Sequence, residues 1–329
     1  MSKLSLTLAI PDYDHTRDIV SGRVPVEGID LTCLVYPVEE IFYRFIVYKE
    51  WEVSEISFAK YTALIASGNK DFIALPVFPS RVFRHSSIYV RKDGPIKTIG
   101  DLKGRRVGIP EWAQTAAVYS RGFLQDQYGI KLSSIKWVQA GVNQPGRVEK
   151  VDLELPKGVT IDRIADKSLN EMLLLGEIDA ALVARAPDAF VKGHPNIRRL
   201  FDDFVDVETD YYKKTGIFPI MHAVAVRREV VEKNPWVARN LFTAFEEAKR
   251  RSIERVQEAT VSLFPIPWYF EHAKRGMELF GKDYFPYGIE PNRKTLEAFL
   301  KWAYEQGVCK RLVKVEELFP KSLTSTHKV

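Results

Sequence analysis

The chain has 329 residues, enough for two domains at the usual ~100–200 residues each, or for one large domain. Apolar residues make up 46% of it, charged residues 28% and aromatic residues 12%, which supplies a full core and excludes a disordered, fibrous or disulfide-stapled chain. Lysine and arginine total 48 against 43 acidic residues, a net charge of +5 with no dense basic stripe, so no nucleic-acid partner is expected. The longest basic clusters, Lys249-Arg250-Arg251 and Arg198-Arg199, read as solvated element ends. Cys33 and Cys309 stand far apart with no metal-ligand spacing, and Cys33 alternates with Leu31 and Val35 as a small buried hydrophobe. No stretch approaches the ~18 apolar residues of a membrane span. The N-terminus shows neither an apolar leader nor a small-residue cleavage site, so a cytoplasmic protein with no membrane partner is expected. The composition is compatible with a homo-oligomer and does not require one.

Residues 4–10 alternate as a half-buried strand, and 29–36 form a second. Residues 38–48 carry helical spacing through Ile41, Phe45 and Tyr48. Residues 51–57 predict a short strand or a turn leading into a helix over 58–66, which Gly68 stops. Residues 72–77 are a buried strand and 86–91 another, so the first ninety residues read β-α-β-α-β. A second α/β unit opens at Ile99 with a short helix, a glycine turn and a strand ending at Pro110. It continues with a helix over 115–128, a strand over 135–139, a helix over 168–175 closed by Gly176, and a strand over 177–184. Residues 141–162, with Gly, Pro and alternating charge, read as a hairpin or an irregular excursion. Residues 222–226 form a further strand. Three helices, over 235–256, 267–279 and 292–305, fill the last hundred residues, the first with Asn234 as N-cap and Pro235 at N1.

Ligands of an open α/β sheet bind beyond the carboxyl ends of its strands. Asp14, His15 and Arg17 follow the first strand, and Ser57 and Tyr61 open the helix after 51–57. Arg81, Arg84 and His85 follow the strand over 72–77. Glu111, Trp112, Gln114 and Thr115 follow the strand ending at Pro110, where helix N-terminal amides also suit an anion. Arg185 follows the strand over 177–184, and His222 begins the returning strand. Planar guanidinium suits bidentate carboxylate binding, so at least one of Arg81 and Arg84 is expected to hold ligand rather than to bridge the two units. Arg17 is read either as a ligand or as the partner of Asp14 or Asp18. His15 is the better acid/base candidate, and His85 is either a second one or a satisfied hydrogen-bonder. Glu111 is either catalytic or an electrostatic support for a helix N-terminus. Trp112 either packs the two units together or stacks on a ring. His194, His272 and His327 are read as structural or solvated.

Residues 99–110 resemble the stretch that opens the second lobe of type II periplasmic-binding-protein-like chains. Gly176-Glu177-Ile178-Asp179-Ala180-Ala181 resembles their later strand entry, and 222–226 the strand returning to the first lobe. Five further stretches stand in order along the chain: Asp12-Tyr13-Asp14-His15-Thr16-Arg17, Ser54-Glu55-Ile56-Ser57-Phe58-Ala59-Lys60-Tyr61 and Pro76-Val77-Phe78-Pro79-Ser80-Arg81-Val82-Phe83-Arg84-His85-Ser86. Gly108-Ile109-Pro110-Glu111-Trp112-Ala113-Gln114-Thr115-Ala116 and Pro219-Ile220-Met221-His222 complete them. On these residues the chain resembles, within that superfamily, the 4,5-dihydroxyphthalate decarboxylase family.

The resemblance implies an α/β fold of two Rossmann-like lobes joined by a hinge, with the ligand cleft between them. The first lobe would be discontinuous, 1–91 and 220–329 with the C-terminal helices, and the second would span 92–219. It further implies a carboxy-lyase of aromatic compound degradation. Such an enzyme would decarboxylate a hydroxylated aromatic dicarboxylate such as 4,5-dihydroxyphthalate, non-oxidatively, to protocatechuate. On that implication Arg81 or Arg84 clamps the retained carboxylate. The leaving carboxylate sits where less charge stabilises it, since losing carbon dioxide removes its negative charge. His15 and His85 handle protons, and Glu111 or His222 orients them. Asp14, Arg17, Ser57, Tyr61, Trp112, Gln114, Thr115 and Arg185 complete the expected contacts to a small aromatic carboxylate. No cofactor is expected. A divalent metal held by His15, His85, Glu111 and His222 is the weaker alternative, because no HxH or HExxH spacing supports it. The alternative function is a solute-binding protein that captures an anionic aromatic ligand for an ABC transporter, against which the missing export signal counts.

Overall fold

The computed structural model describes residues 2–324. Its first sheet contains β1 (Leu4–Ala9), β2 (Ile29–Leu34), β3 (Val53–Ser57) and β4 (Phe72–Leu75). The second contains β5 (Ile88–Arg91), β6 (Arg106–Ile109), β7 (Lys136–Gln139), β8 (Ile161–Arg163), β9 (Ala180–Leu182) and β10 (Ile197–Arg199), after which β11 (His222–Arg227) returns to the first. The strand orders are β2-β1-β3-β11-β4 and β10-β5-β9-β6-β7-β8. In the first sheet β1, β2 and β3 are parallel, and β11 lies antiparallel between β3 and β4. Every residue of β3 and β4 is buried, as expected of strands covered on both faces. The helix Phe58–Ala66 follows β3 directly, buries seven of its nine residues and ends before Gly68, whose φ of +82° suits a residue without a side chain.

In the second sheet β6 is parallel to β7 and β9, β7 is parallel to β8, and β5 runs antiparallel to both β9 and β10. The segment 86–91 was expected to close the first unit; its strand belongs instead to the second sheet. Ile88, Tyr89 and Val90 pair with Leu182, Ala181 and Ala180. Apolar patterning marks a strand without naming its partner, and the chain has already crossed between the sheets over residues 76–87. It crosses back after the helix Phe204–Thr215, and the two crossings touch through a bridge between Arg81 and Ile220.

The excursion at 141–160 is irregular, not a hairpin, and ends in the short strand β8. Asn234 does not cap the helix Trp236–Gln257. Its side-chain amide turns back to the carbonyl of Val230 at 3.4 Å, beside its own backbone N–H, which donates to the same oxygen at 2.9 Å and closes the short helix Arg228–Lys233. The helix Phe204–Thr215 gave no apolar stripe in sequence, since only Glu208 and Tyr211 of its twelve residues are buried. The helix Arg293–Glu305 lies against both Phe58–Ala66 of the first unit and Thr115–Asp126 of the second. At the second contact Gly122 is needed: a Cβ there would sit 2.3 Å from the Trp302 indole. No helix among the described residues is long and apolar enough to cross a membrane.

Candidate functional site

A cleft of about 820 Å³ opens between the two sheets, beyond the carboxyl ends of β3, β6 and β9. Ser57, Arg84, Glu111, Gln114, Thr115, Arg185 and His222 all line it, as their positions at strand ends predicted.

Strand register explains the pair at its centre. His222 opens β11 directly opposite Ser57, the last residue of β3, and Val224 stands opposite Glu55. Alternate residues of a strand share a face, so His222 lies diagonally from Glu55 on the same face. Its Nδ1 meets Glu55 Oε1 at 2.6 Å. A carboxylate only accepts, so Nδ1 carries the proton and Nε2 is left as the basic nitrogen. Tyr13, just past β1, donates its hydroxyl to the same Glu55 oxygen at 2.9 Å. Burial first, and the Glu55 charge second, push that phenol far above its ordinary value, so it stays a donor. Glu55 is fully buried, and its Oε2 has no partner among the described residues. Phe42 packs edge-on against the imidazole at 4.8 Å between ring centres.

Arg84 supplies the charge. Its Nε and Nη2 point at the sulfur of Met221, at 3.3 and 2.8 Å, next in sequence to His222. It makes no salt bridge among the described residues, and burial pulls its guanidinium down to about 10, against the opposing pull of Glu208. A buried cation without a carboxylate is a costly arrangement that an anionic ligand relieves. Nearby, Gln114 has a buried Oε1 without a partner among the described residues. Ser57 Oγ and Thr115 Oγ1 meet at 3.1 Å, and Thr115 also accepts the amide of Ala59 at 3.0 Å, so the two units are joined at the floor of the cleft.

The flanking charges are already neutralised. Glu111 is buried between Lys60 Nζ and Arg147 Nε, both at 2.6 Å, and those two cations outweigh its burial and hold its carboxyl below the usual range. Glu149 adds a second acid to Lys60 at 3.3 Å. At the mouth Arg185 reaches across to Glu39 at 3.0 Å. Glu111 is therefore a member of a salt-bridge cluster in the wall, and Arg185 is a cross-cleft contact.

Seven expected residues are not in the cleft. His15 is packed between Tyr13 and Phe285 with Nε2 on the carbonyl of Pro79 at 2.9 Å, and burial lowers its pKa to about 4. His85 is buried, stacked on Phe123 at 4.0 Å and bonded to Gln127, and burial lowers it likewise to about 4. Arg81 gives Nη1 and Nη2 to the carbonyls of Pro286 and Phe218, at 2.9 and 2.8 Å, keeps a buried Nε without a partner among the described residues, and braces the crossing between the sheets. Arg17 pairs with Asp14 at 3.2 Å, and Asp14 is further held by Ser252 and Arg255. Tyr61 bonds the carbonyl of Leu318 at 2.5 Å inside the core. Trp112 is buried, donates to the carbonyl of Gln306 at 2.7 Å and lies under Arg121. His15, His85, Glu111 and His222 thus do not converge as a ligand set. Among the described residues no cluster of three or more His, Cys, Asp or Glu side chains is placed to hold a metal ion.

Sequence reasoning missed Glu55, Tyr13, Lys60 and Arg147. Glu55 carried a signal: an acid between Ser54 and Ile56, in a strand otherwise without charge, needs a buried partner.

Two mixed α/β sheets, crossed twice by the chain and enclosing one ligand-sized cleft, define the periplasmic-binding-protein-like class. Solved structures agree on the fold. The periplasmic aliphatic sulphonate binding protein of Escherichia coli superposes with a TM-score of 0.56 at 14% identity, covering 98% of this chain and 99% of that one. A putative periplasmic sulfonate-binding protein of Methylobacillus flagellatus gives 0.57 at 12% identity, covering 98% and 94%. The model of the NMT1/THI5-like family matches residues 83–155. In sequence, the chain is 37% identical over 327 residues to 4,5-dihydroxyphthalate decarboxylase of Comamonas testosteroni, covering 99% of each. It is 40% identical over 214 residues to the protein of that name in Pseudomonas putida, covering 65% of this chain and 83% of that one. The chain belongs to the 4,5-dihydroxyphthalate decarboxylase family.

Proposed function

We propose that the protein is a carboxy-lyase that converts 4,5-dihydroxyphthalate to protocatechuate and carbon dioxide without oxidation. Support comes from the full-length relative and, in the cleft, from a buried arginine with no ion-pair partner beside a histidine backed by a carboxylate. Arg84 takes the retained carboxylate, which supplies the counter-charge its burial lacks. Among the described residues that line the cleft, Arg84 is the buried cation without a salt bridge, so the leaving carboxylate is placed away from it, where less charge opposes its loss. His222 Nε2 removes the proton of the ring hydroxyl para to the leaving group, and Glu55 stabilises the imidazolium that forms. Electrons from the resulting phenolate enter the ring, and the imidazolium returns a proton to the carbon that bears the leaving group. The bond to carbon dioxide then breaks, and its electron pair restores the aromatic ring. The phenolate that re-forms takes one proton from solvent, so one proton is consumed and one carbon dioxide released. Gln114 Oε1 accepts a bond from the second ring hydroxyl. The side chains and the ring's own electrons carry these steps without a cofactor. As part of the same proposal the enzyme acts inside the cell, unlike the periplasmic receptors whose fold it shares.

Incubation with 4,5-dihydroxyphthalate under inert gas is expected to yield equimolar carbon dioxide and protocatechuate. Tight binding with no carbon dioxide would replace the lyase by a solute receptor.

A further inference from the structure

We infer that the outer half of the cleft is a subsite for an apolar substituent, so that the protein takes alkyl-substituted aromatic dicarboxylates as well as the bare ring. This deepens the decarboxylase reading and rests on it for the placement of the ring. Size is the first observation. A cavity of ~150 Å³ already admits a benzene ring, and clefts of ~300–1,000 Å³ hold drug-sized ligands; this cleft has about 820 Å³.

The second observation is the helical segment over 38–48, whose apolar residues extend beyond the core. Ile41 and Phe45 are fully buried in the core, with Phe45 against Phe72. Beside them Val38, Phe42, Ile46 and Val47 line the cleft, Phe42 and Ile46 half-buried against the same core and Val47 exposed, where a surface helix ordinarily turns to polar residues. Leu64 and Val148 also line the cleft, and Val47 and Val148 are 52% and 66% exposed. Apolar surface this open, in a cavity continuous with Arg84 and His222, suits the hydrocarbon part of a ligand whose carboxylate is held deeper in.

Titration calorimetry with 4-alkylphthalates, methyl to butyl, tests this, because these lack the para hydroxyl and are bound without turnover. Kd is expected to fall about fourfold per added methylene, with a heat-capacity change that grows more negative along the series. A Kd that stays flat or rises with chain length overturns the subsite. In a Val47→Asp/Val148→Asp variant, both positions being exposed, the gain per methylene is expected to fall by at least half; an unchanged gain overturns the location. Turnover of 4,5-dihydroxyphthalate is measured separately. Its absence would sink the decarboxylase reading while the chain-length series still decides the subsite.

Discussion

Replacing Arg84 by methionine should move stability and substrate affinity in opposite directions. Burial pulls the Arg84 guanidinium down to about 10, against an ordinary value of at least ~12.5. At ~1.4 kcal/mol per pH unit, the charge costs the unliganded fold about 3 kcal/mol. The unfolded chain binds the proton more tightly, so this cost is fully present at neutral pH and is relieved only as pH rises above about 10. Methionine has similar length and no charge. Arg84→Met should therefore leave the empty protein as stable as wild type or more stable, by up to the same ~3 kcal/mol, less the lost contacts to Met221 and the field of Glu208. Losing the partner of a buried carboxylate typically costs ~2–5 kcal/mol, so KM should rise at least ~30-fold. Thermal unfolding with and without phthalate, beside steady-state decarboxylation, reads both effects, and phthalate should stabilise only the wild type. A KM within threefold of wild type, or a variant destabilised by more than ~1 kcal/mol, would refute the assignment of Arg84 as an uncompensated carboxylate clamp.

Glu55→Gln keeps the shape of the side chain that holds His222 and removes its charge; kcat should fall ~10²–10⁴-fold with KM little changed, and a mainly KM effect would speak against the proton role. His85 is buried neutral with a pKa of about 4, so the unfolded chain binds its proton first. Its share of stability, up to about 3 kcal/mol, is present above the unfolded pKa of ~6.5 and is lost as pH falls toward 4. Urea unfolding of His85→Phe at pH 6.5 and 4.5 should show a weaker acid dependence than wild type, with kcat within about threefold; a collapse of kcat would restore His85 to the mechanism. Gly122→Ala drives a methyl into the Trp302 indole and should cost ~1–3 kcal/mol in a denaturant titration; an unchanged stability would show that the helix Arg293–Glu305 yields at this contact.

The architecture was legible because its elements carry local signals. Alternation gave β1, and Gly68 and Gly176 ended their helices with φ of +82° and +74°. The partner of β5 was not legible, since strand pairing is decided by where residues 76–87 lead the chain. The rule that ligands gather at strand ends pointed to the edge where the cleft lies and brought forward Ser57, Arg84, Gln114, Thr115 and His222, which line it. It could not tell which polar side chains turn into the cleft. His85 turns onto Phe123 and Arg81 onto two carbonyls, choices made by packing partners more than 35 residues away in sequence. Arg147 lies in the irregular run 141–160, where no periodicity predicts direction, and Lys60 reads as the solvated residue of an apolar helix until Glu111 is seen beside it.

The reaction run in deuterium oxide with wild type and His222→Ala tests most directly that the cleft breaks a carbon–carboxylate bond by proton transfer through His222. Wild type should release one carbon dioxide per 4,5-dihydroxyphthalate and place one deuterium on the vacated ring carbon, and His222→Ala should do so at least ~100-fold more slowly. No carbon dioxide from wild type, or an undiminished rate in His222→Ala, would contradict it.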